Sequence, residues 1–229
     1  MRRLRPSVLY AASLDLRGVP VLVVGGGEVA IRKVRTLLEA GAAVTVVAPH
    51  FHEELAALRA KSLRRVARAF KSADLKNKHM VFAATDNPAL NTEIAARCRK
   101  ARVLVNVATP PDAGNFHVPA TIRRGPLTIA ISTGGASAAL ARSLREHLET
   151  QLGDEWSILA GLLEARRKNI LRLVKDPETR RELLSELGSA RWARRIRQNG
   201  ETAAAREMDA LINRSASQPG ILAERGVRA

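Results

Sequence analysis

Apolar positions along this chain switch period in an ordered way, and the clearest switch lies in residues 21–40. Val21, Leu22, Val23 and Val24 form a continuous, mostly β-branched run that ends in Gly25, Gly26 and Gly27. From Glu28 to Ala40 the apolar side chains fall at Val29, Val34, Leu37 and Leu38, the spacing of one helix face. Gly41 then closes the helix and Val44 to Val47 supplies a second β-branched run. The segment predicts strand, tight turn, helix, strand.

The alternation continues. Phe51 to Ala60 predicts a helix with Leu55 and Leu58 on one face, and the alternation of Arg64, Val66, Arg68 and Phe70 predicts an edge strand over 63–70. Met80 to Ala84 reads as a short buried strand. Asp86-Asn87-Pro88 starts a helix that runs to about Lys100, and Val103 to Val107 is the next strand. Proline-bearing loops at Thr109-Pro110-Pro111-Asp112 and Val118-Pro119 mark a boundary. Beyond them a strand is predicted over Leu127 to Ser132 and a helix over about Ala138 to Gln151. Four amphipathic helices follow, one carrying Trp156, Ile158, Leu159, Leu162 and Leu163, one starting at Pro177, and two over 190–198 and 201–212. Met1 to Arg17 reads as a lead-in to the first strand rather than a signal peptide, and 215–229 as a poorly ordered tail.

The fold class expected from this order is α/β. A Rossmann-type, mostly parallel sheet (1–112) precedes a small mixed α/β region (113–150) and a helical C-terminal domain (151–214).

Gly25-x-Gly27-x-x-Ala30 after a strand is the dinucleotide fingerprint: Gly25 permits the turn, Gly27 lets the backbone approach a pyrophosphate, and small Ala30 allows close helix packing. Unpaired amides at the helix start face the phosphates. Taken alone, the pattern also fits a ligand-free glycine turn or another adenosyl cofactor. Ligands on such sheets lie at the carboxyl ends of the strands, so 25–27, 48–50, 84–86 and 106–109 are expected to converge. Where an acidic residue usually meets the adenine ribose stand Ala48, Pro49 and His50, so side chains do not decide between NAD and NADP. A second glycine turn, Thr133-Gly134-Gly135-Ala136-Ser137, admits two readings. One is an anion cradle from the Gly134 and Gly135 amides, the Ser132, Thr133 and Ser137 hydroxyls, and Arg142 and Arg145 behind; the other is a tight turn with a serine cap and a solvated arginine face.

Composition changes this picture in one respect. The 229 residues carry a formal charge of +16, which calls for an acidic partner. The excess is dispersed, with 19 Lys and Arg against 9 Asp and Glu up to Asp112 and 19 against 13 after it. Aromatic residues are only 3%, which argues against nucleic acid as partner. A coding bias towards arginine and alanine is a further source of the charge. A single cysteine, Cys98, excludes a disulfide framework and reads as core packing. No run spans a membrane, and no His, Cys or carboxylate cluster has structural-metal spacing.

The chain resembles the precorrin-2 dehydrogenase family, including the N-terminal module of siroheme synthase, some members of which also insert iron into sirohydrochlorin. The residues carrying the resemblance are SLDLRGVPVLVVGGGEVAIRKVRTLLEAGAAVTVVAP, VFAATDNPALN, VNVATPPDAGNFHVPA and LTIAISTGGASAALARSLREHLE. The resemblance implies NAD as cofactor, cytoplasmic siroheme biosynthesis, a tetrapyrrole substrate with eight carboxylates, and a homodimer built by chain exchange around Phe116 to Leu148. It places cofactor contacts on Gly25, Gly27, Glu28, Val29, Pro49 and His50, with Thr85 and Asn106 nearby. For the substrate it implicates Thr133, to which the glycine-turn reading adds Gly134, Ser137 and Arg142.

One departure stands out. The family usually reads V-N-x-x-D after the fifth strand, and that aspartate is its favoured catalytic residue; here the position is Thr109. A threonine hydroxyl cannot serve as a base near neutral pH as a carboxylate can. Asp112 in the same loop and His117 at the entry to the next region are the candidate replacements, against plain readings as a solvated turn aspartate and a hinge or dimer-contact histidine. Metal insertion, in which pyrrole protons must leave, is more exposed to this loss than hydride transfer.

Overall fold

A computed structural model describes residues 9–218. The chain divides into two units: residues 9–118 with Ser132–Ser137, and Pro119–Ile131 with 138–218.

In the first unit, β1 (Pro20–Val24), β2 (Ala43–Ala48), β3 (Leu63–Ala67), β4 (Met80–Ala83) and β5 (Leu104–Val107) form one sheet in the order β3-β2-β1-β4-β5. Every pairing is parallel, with Val21 opposite Val44 on one side and Met80 on the other. The expected Rossmann topology is therefore present. The strand order reverses beside β1, and open sheets of this kind take their ligands at that switch point.

The continuous apolar run of β1 has a physical reason, because both faces of its strand are covered. Val21 and Val23 pack with Ala30, Ile31, Val34 and Leu37 of α1 (Glu28–Glu39). Leu22 and Val24 pack on the opposite face with Ile94, Ala95 and Cys98 of α3 (Pro88–Lys100). Each fully buried side chain contributes about 1.5–3 kcal/mol, offset by about 1–2 kcal/mol of backbone ordering per residue. Val29, assigned by spacing to the core face, is instead 37% exposed, and the buried face of α1 is Ala30, Ile31, Val34 and Leu37.

Two elements differ from expectation. The helix read over 51–60 is the short α2 (Glu53–Ala57), and Leu58 has left it with ψ 129°. The Arg65 guanidinium donates to the carbonyls of Leu55 (3.1 Å) and Leu58 (2.7 Å), satisfying the helix end early. The strand expected to reach Phe70 stops at Ala67 as an edge strand, and Arg68 turns to pair with Asp74 at 2.6 Å.

The second unit holds an antiparallel hairpin of β6 (Ala120–Arg124) and β7 (Leu127–Ile131), then α4 (Ala138–Gln151), α5 (Glu155–Leu173), α6 (Pro177–Leu187) and α7 (Ala190–Ser217). β6 carries one buried side chain, Ile122, too little apolar pattern to announce a strand; Gly125, at φ +55°, makes its turn. Gly200, at φ +81°, breaks α7 into the two predicted helices. Ser215 is buried in the last turns of α7, so the tail does not begin there as expected; residues 219–229 lie outside the described residues, as do 1–8 of the lead-in. No helix among the described residues is long and apolar enough to cross a membrane.

Candidate functional site: a dinucleotide cleft

The carboxyl ends of β1, β2 and β4 surround a cavity of about 600 Å³. Each glycine of the first turn is held there for a different reason. Gly25 has φ +124°, and a Cβ on it would meet the Ala84 carbonyl oxygen at 2.2 Å. Gly26 lies against the next loop, where a Cβ would come within 2.0 Å of the His50 carbonyl oxygen, and its own carbonyl accepts the His52 amide at 2.9 Å. Gly27 has nothing within 4 Å of its Cβ position. The open face of Gly27 lines the cavity, so the space its missing side chain leaves is space for a ligand.

Gly27 also caps α1 without a side chain, and the first helical bond runs from the Ile31 amide to the Gly27 carbonyl at 3.1 Å. The amides of Glu28, Val29 and Ala30 precede that bond and have no partner within the helix. Amides in this position, with the positive end of the helix dipole, fit a pyrophosphate.

Of the residues implicated in cofactor binding, Gly25, Gly27, Glu28, Val29, Pro49, His50 and Thr85 line the cavity. Asn106 does not: it is 8% exposed, and its side-chain amide donates to the Phe116 carbonyl at 3.1 Å. Residues 25–27, 48–50 and 84–86 thus converge on the cavity as expected, whereas 106–109 does not line it. Buried Asn91 on α3 accepts the Thr85 hydroxyl at 2.7 Å and donates to the Thr109 carbonyl at 3.1 Å. Sequence reading passed over Asn91, along with Phe70, Asn87 and Leu90 of the cavity wall. Phe70 was discoverable as the residue that follows the edge strand; a polar residue in a helix gave no such signal.

Thr109 is exposed, and Asp112 is exposed in the 3-10 turn Pro111–Ala113. Neither lines the cavity. His117 is half-buried, and its Cε1 lies 4.0 Å from the Cβ position of Gly135, so the 133–137 turn and His117 are brought together. Within that turn the Thr133 hydroxyl donates to the Ser137 carbonyl (3.0 Å) and accepts the Ser137 amide (3.1 Å), while Ser132 Oγ accepts the Gly134 amide at 3.2 Å. Of the two cradle amides, that of Gly134 is therefore taken by the Ser132 hydroxyl within the turn. Arg142 is exposed on α4, and Arg145 is paired with Glu146 and Glu149.

Lys33 of α1 sits with its amine 5.3 Å from the centre of the Phe82 ring, which meets Phe116 edge-on at 5.4 Å. Burial, with Arg32 nearby, holds the Lys33 ammonium below its ordinary pKa. Cys98 is fully buried, and burial pushes its thiol up to about 11. No group of three or more potential metal ligands occurs among the described residues.

Sheet order, glycine turn and helix start together define a dinucleotide-binding domain of the Rossmann class. Residues 12–120 match an NAD(P)-binding family model, and residues 124–151 match the central region of sirohaem biosynthesis proteins. A siroheme synthase of Methylococcus capsulatus is 36% identical over 233 residues, covering 94% of this chain and 49% of that protein. One from Tolumonas auensis is 43% identical over 161 residues, covering 70% and 34%. The chain thus spans about half or less of the curated relatives it matches. The solved structure of SirC, precorrin-2 dehydrogenase, is matched over its whole length and 88% of this chain, at 31% identity and a TM-score of 0.72. The chain belongs to the precorrin-2 dehydrogenase family.

Proposed function

We propose that this protein oxidises precorrin-2 to sirohydrochlorin with NAD, as a homodimer in the cytoplasm. The observation that carries the reading is the open face of Gly27 beside the unpaired amides of α1, in a chain that matches SirC end to end. The nicotinamide supplies a hydride acceptor when bound. The protein's part is positioning: Gly27 and the first amides of α1 bind the pyrophosphate, and Pro49, His50 and Phe70 wall the adenosine side. Thr85 shapes the wall at the β4 end.

Residues 1–112 form the cofactor domain, 113–150 the dimerisation region and 151–214 the helical domain. The apolar surface of α4 supports the second assignment, since Leu144 is 40% exposed and only Ala141 of that helix is buried. The dispersed positive charge suits a polycarboxylate substrate. Thr133, Gly134, Ser137 and Arg142 are the residues we assign to it, and His117, beside the 133–137 turn, is the better-placed proton acceptor than Asp112. Ferrochelatase activity is the function that Thr109 disfavours.

Thr109 also supports a second reading, a tetrapyrrole- or NAD-binding protein without turnover. Anaerobic incubation with precorrin-2 and NAD, following NADH absorbance and the tetrapyrrole spectrum, separates the two. Turnover by the unmodified protein is expected; its absence, with NAD still bound, would favour the binding protein.

A further inference from the structure

Asn91 is 0% exposed, and its carboxamide makes four hydrogen bonds, the full complement its two ends comfortably hold. Oδ1 accepts the Thr85 amide (3.2 Å) and the Thr85 hydroxyl (2.7 Å). Nδ2 donates to the carbonyls of Thr85 (3.0 Å) and Thr109 (3.1 Å). One carboxamide on α3 therefore joins the residue that follows β4, which lines the cleft, to a residue in the loop that follows β5, which does not.

A buried amide is an expensive choice for mere packing, since any partner it failed to find would cost about 1–3 kcal/mol. A leucine would fill the same place without that risk. What the amide adds is direction: it fixes the carbonyl of Thr109 relative to the backbone of Thr85. Next to Thr109 the β5 loop is otherwise tied by the Ala108 amide to the Ala83 carbonyl at 2.9 Å; its other ties lie farther along, from the Arg99 guanidinium of α3 to the carbonyls of Ala113 and Gly114 and between Asn115 and Val105. Pro110 and Pro111 have no amide to donate.

We propose that Asn91 is a positioning residue that couples the cofactor wall at Thr85 to the loop bearing Thr109, so that dinucleotide in the cleft also orders the substrate-side loop. This rests on the proposed NAD-dependent function. The loop is set by its backbone carbonyl and not by the side chain at 109, so it keeps its place whether that side chain is a hydroxyl or a carboxylate.

The test is hydrogen–deuterium exchange of the 229-residue protein and of Asn91→Ser and Asn91→Asp, each with and without NAD, followed in peptides covering 84–90 and 104–116. Asn91→Asp keeps both acceptors for Thr85 and loses both donors; Asn91→Ser is small and uncharged, and serves if the buried carboxylate prevents folding. Without NAD, exchange in 104–116 is expected to rise at least fivefold in either variant, while the α3 amides beyond Ile94 stay as in the wild type. With NAD, the wild type protects both peptides and the variants protect 84–90 alone. Turnover per NAD-binding site is expected to fall about tenfold with the KM for NAD within threefold. Unchanged exchange in 104–116 in the free variants, or protection of both peptides by NAD in a folded variant, overturns the coupling. Failure of NAD to protect either peptide of the wild type would instead overturn the NAD-dependent function, and the free-protein comparison still decides the role of Asn91.

Discussion

The carbonyl oxygen of His50 occupies the space where a side chain on Gly26 would begin, 2.0 Å from its Cβ position. The β1 turn and the β2 loop are thereby locked together, and the middle glycine of the triplet is as constrained as Gly25, unlike Gly27. Gly26→Ala is expected to force the two loops apart, lowering stability by about 1–3 kcal/mol and NAD affinity with it. Gly27→Ala meets open space, so its thermal unfolding without NAD is expected to match the wild type while NAD affinity falls; Gly27→Asp is expected to abolish binding. Equal unfolding temperatures for the Gly26 and Gly27 alanine variants would refute this division of roles.

Restoring a carboxylate at the substrate-side loop is the direct test of the proton acceptor. Thr109→Asp is expected to raise turnover, by up to about 10² to 10⁴ if general-base catalysis limits the present protein. His117→Gln in the wild type is expected to slow it, and Asp112→Asn to leave it unchanged. Faster turnover in neither Thr109→Asp nor any pH condition would show that proton removal is not the slow step.

The Cys98 thiol, pushed up to about 11 from 9.0, gives a pH dependence of defined sign. Below pH 9 both folded and unfolded chains hold the proton and the contribution is complete. Between pH 9 and 11 the unfolded chain gives up the proton and the folded one keeps it, so stability falls as pH rises. Cys98→Ala is expected to lose stability at pH 7 through the cavity it leaves and to show a shallower alkaline decline. Denaturant midpoints at pH 7, 9 and 10.5 measure both effects.

At the other end of the scale stands Glu155 at the start of α5. The Arg197 guanidinium hydrogen-bonded to it holds its carboxyl below 4.5. A depressed carboxyl stabilises the fold above its unfolded pKa, and that contribution is lost as pH falls through the folded value. Glu155→Gln is expected to be less stable than the wild type at pH 7 and to converge with it as pH falls through the folded value. A difference that does not shrink as pH falls would assign the loss to packing.

The sheet was legible because β1 and β4 are covered on both faces and so carry unbroken apolar runs and β2 is β-branched from Val44 to Val47, while Gly25 and Gly27 mark the turn by composition alone. Hairpin strand β6 was not, since Ile122 is its single buried side chain and its partner strand supplies the pattern. The cleft was legible at its glycines and at Pro49 and His50, which follow strand ends. Asn91 was invisible because its role depends on two loops that meet only after folding. The hydroxyls of Ser132 and Thr133 point to an anion site, yet Ser132 already accepts the Gly134 amide, a competition between side chain and ligand for one amide that sequence cannot adjudicate.

The path of the chain has one more consequence. It leaves the first unit after Val118, returns for Ser132–Ser137 and leaves again at Ala138. No single cut separates the two units without removing a segment from one of them. A truncation at residue 118, the natural choice for isolating the nucleotide fold, strips away the turn that lies against His117. Dissection of this protein into halves is therefore a lesion rather than a simplification, and recombination at that junction would carry away an incomplete part.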